Sequence, residues 1–302
     1  MKPFTFFKSM MLFSILSLTL FSCTDDGSGG IADTAPVVTI TSPADVNVKK
    51  DSTFVVKISG VKGTNSMKTL TINEAGTKVA LDRITFNTGG GANPALLSGA
   101  NASSFDFTIS IKAHKDVATK KYDFVVSDDA GLTTTKSVNV TTGTGLFMLE
   151  GILLNQSGPA GQGGLDLDTG AGTGSAAATA DIRDEGVVDP VNDGTWKQQI
   201  SGVNGSEIKY IKKGQNGVAE SFSFAGVIFQ EQIISLWSNG VAFNKKSTDN
   251  RDVSDKVALG DVFVVKNGTK YYLLTVKNIK ITPDILNDPN RNKDSYTFDV
   301  KL

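Results

Sequence analysis

Between residues 105 and 111 the chain alternates strictly. Phe105, Phe107, Ile109 and Ile111 are apolar, while Asp106, Thr108 and Ser110 are polar. A period of two puts every second side chain on one face, which is the signature of a strand with one buried side. Phe54, Val56 and Ile58 alternate with Thr53, Val55 and Lys57, and Tyr122, Phe124 and Val126 keep the same rhythm. Val37–Thr41, Leu70 with Ile72, Ile84 with Phe86, and Thr134–Val140 complete seven predicted strands. Ser42-Pro43 and Ser127-Asp128-Asp129-Ala130-Gly131 punctuate them as turns. Seven short strands of this kind predict a β-sandwich over residues 36–142. Cys23 is the only cysteine, so packing rather than intrachain disulfides must stabilise the fold.

Thr141-Thr142-Gly143-Thr144-Gly145 is expected to link this sandwich to a second, β-rich domain over 146–302. That domain opens with the apolar run Leu146–Leu154, followed by a Gly/Ala-rich stretch from Gly158 to Ala180. Asn204-Gly205 and Asn267-Gly268 each sit between strand-like runs and predict hairpins, because both residue types tolerate positive φ. Thr297–Leu302 is expected to close the domain as a strand. Ala225–Ser238 carries Phe229, Ile233, Leu236 and Trp237 at helical spacing and predicts one helix, with a buried strand through Val227-Ile228-Phe229 as the rival reading. The predicted class is therefore mainly β: a sandwich, then a β-rich domain with one helix.

Asp166, Asp168, Asp181, Asp184, Glu185, Asp189 and Asp193 crowd one region with Arg183 as their only local basic neighbour. Clustered carboxylates repel, and a divalent cation relieves that repulsion. Asp166 and Asp168 are the candidate calcium ligands, in a segment that starts with a calcium-loop rhythm. It lacks the third carboxylate, and Ala177 occupies the twelfth position. A solvated acidic loop, with no cofactor, is the favoured reading, and calcium at these two residues is the alternative. Asp128 and Asp129 are read as turn formers rather than ligands. His114, the single histidine, is read as a solvated loop residue. No G-x-S-x-G elbow, histidine triad or H-E-x-x-H helix is present, so no enzyme is expected. A carboxylate pair acting on a glycan is the remaining catalytic alternative.

At the N-terminus, Lys2 and Lys8 precede an apolar run from Met10 to Phe21, which is too short for a permanent membrane span. Leu20-Phe21-Ser22-Cys23 then resembles a bacterial lipoprotein signal, departing from the usual pattern at Phe21. The resemblance implies a signal peptide over 1–22 and a lipidated Cys23 holding the mature chain on a membrane. Thr24-Asp25-Asp26 resembles the surface-export signal of Bacteroidota lipoproteins, which implies an outer-membrane location facing the medium. Gly27–Gly30 reads as part of a flexible linker over 23–35. Cleavage leaves 28 basic side chains against 31 acidic ones, and this mild balance argues against a nucleic-acid partner.

Ala35-Pro36-Val37-Val38-Thr39-Ile40-Thr41-Ser42-Pro43 and the stretch from Tyr122 to Val140 resemble the two ends of bacterial surface Ig-like domains. The middle, Asn87–Ala102, departs from them, and Thr88-Gly89-Gly90-Gly91 is expected to protrude as a loop. Gly164–Gly170, Ala180-Asp181-Ile182, Gly260–Val265 and Lys270–Leu274 resemble a C-terminal domain of Bacteroidota lipoproteins that has no assigned activity. Asp33-Thr34-Ala35 and Asp51-Ser52-Thr53 resemble Bacteroidota O-glycosylation sites, which implies modification at Thr34 and Ser52. Together these resemblances imply a lipid-anchored surface protein whose distal domain binds an extracellular glycan or a surface protein. The alternative is a spacer or contact component of an outer-membrane assembly. For a glycan, Trp196, Tyr210, Tyr271, Tyr272 and Tyr296 are the aromatics available to stack on sugar faces. Trp237 is read as core.

Overall fold

A computed structural model describes residues 32–88, 92–155, 162–189, 193–282 and 293–302. The leader, Cys23, the Gly27–Gly30 spacer and the glycines at 89–91 lie outside them.

The N-terminal domain is an Ig-like sandwich of two sheets. One sheet runs in the order β1 (Val37–Ile40), β3 (Thr53–Val61), β8 (Ser104–Lys112), β6 (Ile84–Phe86). The other runs β2 (Asp45–Lys49), β10 (Thr133–Gly143), β9 (Ala118–Asp128), β4 (Met67–Glu74), β5 (Thr77–Lys78), with β7 (Ala95–Leu96) also on β4. The alternating residues do what their period requires. Val56, Ile58, Ile109 and Ile111 face Leu70, Ile72, Phe124, Val126 and Val140, all buried between the sheets.

Two features differ from the sequence expectation. β2 is an additional strand, pairing in parallel with the end of β10 from Asn139↔Asp45 to Gly143↔Lys49. Its residues alternate exposed and half-buried, with Val46 and Val48 packed against the core without being fully buried. The middle segment adds a further short strand, β7, beyond the loop expected at 88–91, whose glycines lie outside the described residues. Asn93 exchanges hydrogen bonds with the backbone of Ile72, and Ala95 and Leu96 pair with β4.

The second domain packs two six-stranded sheets around one core. The first is β11 (Met148–Asn155), β24 (Ser295–Lys301), β23 (Lys270–Lys280), β22 (Val262–Asn267), β18 (Glu207–Tyr210), β19 (Val241–Ala242). The second is β13 (Gly172–Thr173), β12 (Gly164–Leu165), β14 (Ile182–Asp184), β17 (Ile200–Gly202), β21 (Asp252–Val253), β20 (Lys245–Lys246). A separate ribbon pairs β15 (Val187–Asp189) with β16 (Asp193–Trp196).

The helix α1 spans Gln230–Asn239 and covers the outer face of the first sheet. This explains the unbroken apolar runs in β22 and β23. Phe263, Val265, Tyr272 and Leu274 enter the inter-sheet core, while Val264 and Leu273 lie under Ile233 and Leu236 of α1. Burial on both faces removes the polar positions that alternation otherwise leaves.

The helix begins five residues later than the spacing predicts. Residues 222–229 form turns whose carbonyls are claimed by Lys301, and the Gln232 side chain accepts the Ile228 and Phe229 amides to cap the first turn. Of the two predicted hairpins, the one at 267–268 forms and the one at 204–205 does not. Asn204 and Gly205 do adopt positive φ, but they carry the chain from one sheet to the other. At 267–268 the hairpin is real, yet Asn267 pairs with Lys270 and only Gly268 takes positive φ, as the first central residue of a two-residue turn.

The expected linker at 141–145 is mostly strand. Thr141, Thr142 and Gly143 belong to β10, and Gly145 bridges to Phe229 in the second domain. The Phe229 ring lies against Gly143, where a Cβ would come within 2.4 Å of it.

Candidate functional site

The fold disperses the acidic region and gives its members partners from distant sequence. Asp166 turns inward on its own loop, its Oδ1 accepting from the Asp168 and Thr169 amides at 2.9 and 3.3 Å. Asp168 accepts from Lys270 Nζ at 2.5 Å and from the Tyr272 hydroxyl at 2.7 Å. Those two hydrogen bonds hold the Asp168 carboxyl below its usual range, and burial pushes the Tyr272 hydroxyl up. Asp181 is buried and ties together Leu167, Ser206 and Asn267. Asp184, fully buried, accepts from the Gly186 amide and from Trp196 Nε1. Glu185 accepts from Ser201 Oγ at 2.5 Å and from Arg251 at 3.2 Å, with Arg183 beside it. Lys270 and Arg251, absent from the local sequence, supply the counter-charge that the region was expected to lack. Among the described residues, no three His, Cys, Asp or Glu side chains are placed to share a metal ion.

Four of the five aromatics proposed to stack on sugars are core. Trp196, Tyr210, Tyr272 and Tyr296 are at most 7% exposed, and Tyr271 is half-buried. Trp196 packs on Tyr296 with ring centres 4.6 Å apart, and Tyr210 packs on Phe263 at 5.0 Å. Burial raises the hydroxyls of Tyr210, to about 12, and of Tyr296. Trp237 is half-buried at the edge of the helix–sheet cluster rather than in the main core, with Lys209 Nζ 4.0 Å over its ring.

In the sandwich, His114 is buried rather than solvated. It follows β8, and Tyr122 and Thr142 from the opposite sheet close over it. Thr142 Oγ1 lies 2.8 Å from its Nε2 and Tyr122 Oη 3.4 Å from its Nδ1. The same tyrosine donates to Glu74, which also takes Arg83 and Lys120. Asp128 acts as the turn former expected of it, accepting the Leu132 amide while Gly131 takes positive φ. Thr34 is exposed but docked: its amide donates to Thr64 Oγ1 at 3.0 Å. Ser52 is half-buried in the turn before β3.

A further concavity lies elsewhere on the second domain. It is an open groove of about 600 Å³ between the segments that follow β18 and precede β22. Lys212, Lys213 and Lys256 stand around it, Phe222 and Phe224 form an apolar wall, and Asp261 lies opposite. Burial raises the Asp261 carboxyl, against the Ala258 amide and the charge of Lys212. Sequence reading passed over these residues because the lysines look like ordinary surface charge. The Lys212-Lys213 pair after a strand was the one available signal, and Lys256 joins it only through the fold.

No family model matches the chain, and no curated protein matches it. Among solved structures, the chain is similar to a DUF4466 family protein from Parabacteroides merdae, at 9% identity and TM-score 0.34 over 89% of this chain and 98% of that one. It is similar to a conjugative transposon lipoprotein from Bacteroides eggerthii, at 13% identity and TM-score 0.27 over 35% and 95%. It is also similar to fibronectin(III)-like modules of Clostridium thermocellum CbhA, at 12% identity and TM-score 0.23 over 35% and 96%. The fold class itself rests on the strand order and the cores described above.

Proposed function

We propose that this chain is a lipid-anchored protein of the outer cell surface, in which the Ig-like sandwich holds the second domain out as a non-catalytic binding module. The observation that carries this reading is the junction. β10 runs into the second domain without a free linker, and the contacts of Thr144 and Gly145 with Phe229, Gln230 and Glu231 fix one domain on the other. A fixed junction suits presentation of a surface at a set distance from an anchor. The engaged carboxylates of the acidic region support binding over catalysis, since a glycosidase needs an acid and a second carboxylate free to face one bond. Among the described residues no helix is long and apolar enough to cross a membrane, which is consistent with attachment through Cys23.

A role as a contact component in a larger assembly is the second reading. Phe147, Met148 and Leu153, along the edge strand β11 and just before it, are substantially exposed and favour it.

Protease treatment of intact cells tests the anchored, outward-facing reading. The wild-type chain should fractionate with membranes and be digested from outside, and Cys23→Ser should leave the membrane fraction. A wild-type chain protected in intact cells, or a Cys23→Ser chain that stays on the membrane, contradicts it.

A further inference from the structure

The groove on the second domain combines three features that a surface depression does not need. Lys212, Lys213 and Lys256 rim it, and among the described residues none of the three forms an ion pair. Lys212 Nζ lies 4.9 Å from the Tyr210 ring, and its charge also acts on Asp261. The nearby acids do not cancel this charge: Asp255 is paired with Lys245 at 2.9 Å, which leaves Asp261 as one carboxylate against three lysines. The rim is therefore net positive.

The apolar wall is fastened by a fourth cation. Lys301, only 7% exposed, donates to the carbonyls of Phe224 and Val227 at 2.7 Å each and reaches Ala225 at 3.4 Å. Its ammonium sits 4.5 Å over the Phe224 ring and has no carboxylate partner among the described residues. A buried charge against a low-dielectric wall adds to the potential in the adjoining groove. The clamp also sets the wall before any ligand arrives, which lowers the ordering cost of binding.

We infer that this groove binds an acidic polysaccharide, with Lys212, Lys213 and Lys256 taking the carboxylates of hexuronate residues and Phe222 and Phe224 contacting the sugar faces. The inference rests on the reading of the second domain as a binding module and names its ligand class. The lysine charges around the groove match the carboxylates that a polyuronate carries on its sugars. The apolar faces of pyranose rings match the phenylalanine wall, which a purely ionic ligand would leave unused.

The test uses the full chain in neutral detergent on surfaces coated with polygalacturonate, alginate, hyaluronan, dextran or polyglutamate. Binding to at least one polyuronate is expected, and it should weaken as salt is raised. The triple change Lys212→Ala, Lys213→Ala, Lys256→Ala should reduce it by about tenfold or more, since several rim charges are lost together. The same number of lysines removed from the sandwich, at Lys62, Lys78 and Lys136, should leave it unchanged. All six are surface positions, so both variants fold. Phe222→Ala should weaken polyuronate binding while any binding to polyglutamate stays constant. Binding to none of the three polyuronates overturns the inference, as does equal loss in both triple variants. Equal binding to polyglutamate reduces the groove to a charge trap and also overturns it. Dextran bound in preference to every polyuronate overturns the acidic class while leaving the binding-module reading intact.

Discussion

The two oxygens of Glu231 lie 3.1 and 3.2 Å from the backbone nitrogen of Thr144, so a side chain of the second domain's helix holds the last turn of chain leaving the sandwich. Burial alone would raise this carboxyl, yet the hydrogen bonds from Thr144 outweigh it and hold it below its ordinary value. The Gln230 amide donates back to the Thr144 carbonyl, which closes the contact from both sides. One acidic residue in the first turn of α1 thus serves the junction as well as the positive end of the helix.

Loss of this contact should loosen the junction without unfolding either domain. Glu231→Ala leaves the Thr144 amide unpaired, at a cost of about 1–2 kcal/mol. Gly143→Ala attacks the same joint sterically, because its Cβ would meet the Phe229 ring at 2.4 Å. Both variants should be cut faster by protease between residues 143 and 146 while keeping wild-type circular dichroism.

The sandwich carries its own acid-sensitive anchor. Burial raises the Glu74 carboxyl, but the hydrogen bonds from Tyr122, Arg83 and Lys120 override it and bring the pKa to about 2. A carboxyl lowered from an unfolded value of about 4.3 adds stability above that pH, and the gain is lost as pH falls towards 2. Glu74→Gln should therefore cost about 2 kcal/mol near neutrality and almost nothing at pH 2. Amide exchange along β4 and β9, followed from pH 7 to pH 2, checks this. A variant whose deficit persists unchanged at pH 2 would refute it.

Lys301→Met keeps the length of the side chain but strips three carbonyls of their donor. The expected cost is about 2 kcal/mol, with amide exchange accelerated at residues 222–229 and the rest of the second domain unaffected. Uniform acceleration across β22–β24 would show that Lys301 stabilises the sheet and not the groove wall.

For calcium, the position of Lys270 decides the expectation. Its ammonium already occupies Asp168, so added calcium should leave the melting midpoint where EDTA leaves it. A rise with calcium that disappears in Asp166→Ala or Asp168→Ala would instead establish the acidic loop as a metal site.

The sandwich was legible because its strands bury one face each. Phe105 to Ile111 and Tyr122 to Val126 declare their burial by alternation, and the structure places those residues between the sheets. β2 was passed over although Val46 and Val48 alternate with Asp45, Asn47 and Lys49, because two half-buried apolar residues at a sheet edge are a short signal. In the second domain the one helix was foreseen through Ile233 and Leu236, but not its start, which depends on Lys301, some seventy residues downstream. The acidic region misled for the same reason. Asp168 and Glu185 are balanced by Lys270 and Arg251, partners that proximity in sequence does not reveal. Burial of Trp196, Tyr210, Tyr272 and Tyr296 also followed from tertiary packing, because an aromatic residue carries the same letters in a core and on a binding face.

The fixed junction is the central claim, and a distance between the domains tests it most directly. Spin labels at Lys78→Cys in the sandwich and Thr269→Cys at the tip of the β22–β23 hairpin, in a Cys23→Ser background, report that distance by pulsed electron resonance. One narrow distribution is predicted, broadening when Gly143→Ala and Glu231→Ala are added. A broad distribution before those changes would mean that the domains swing freely and that the sandwich does not hold the second domain in place.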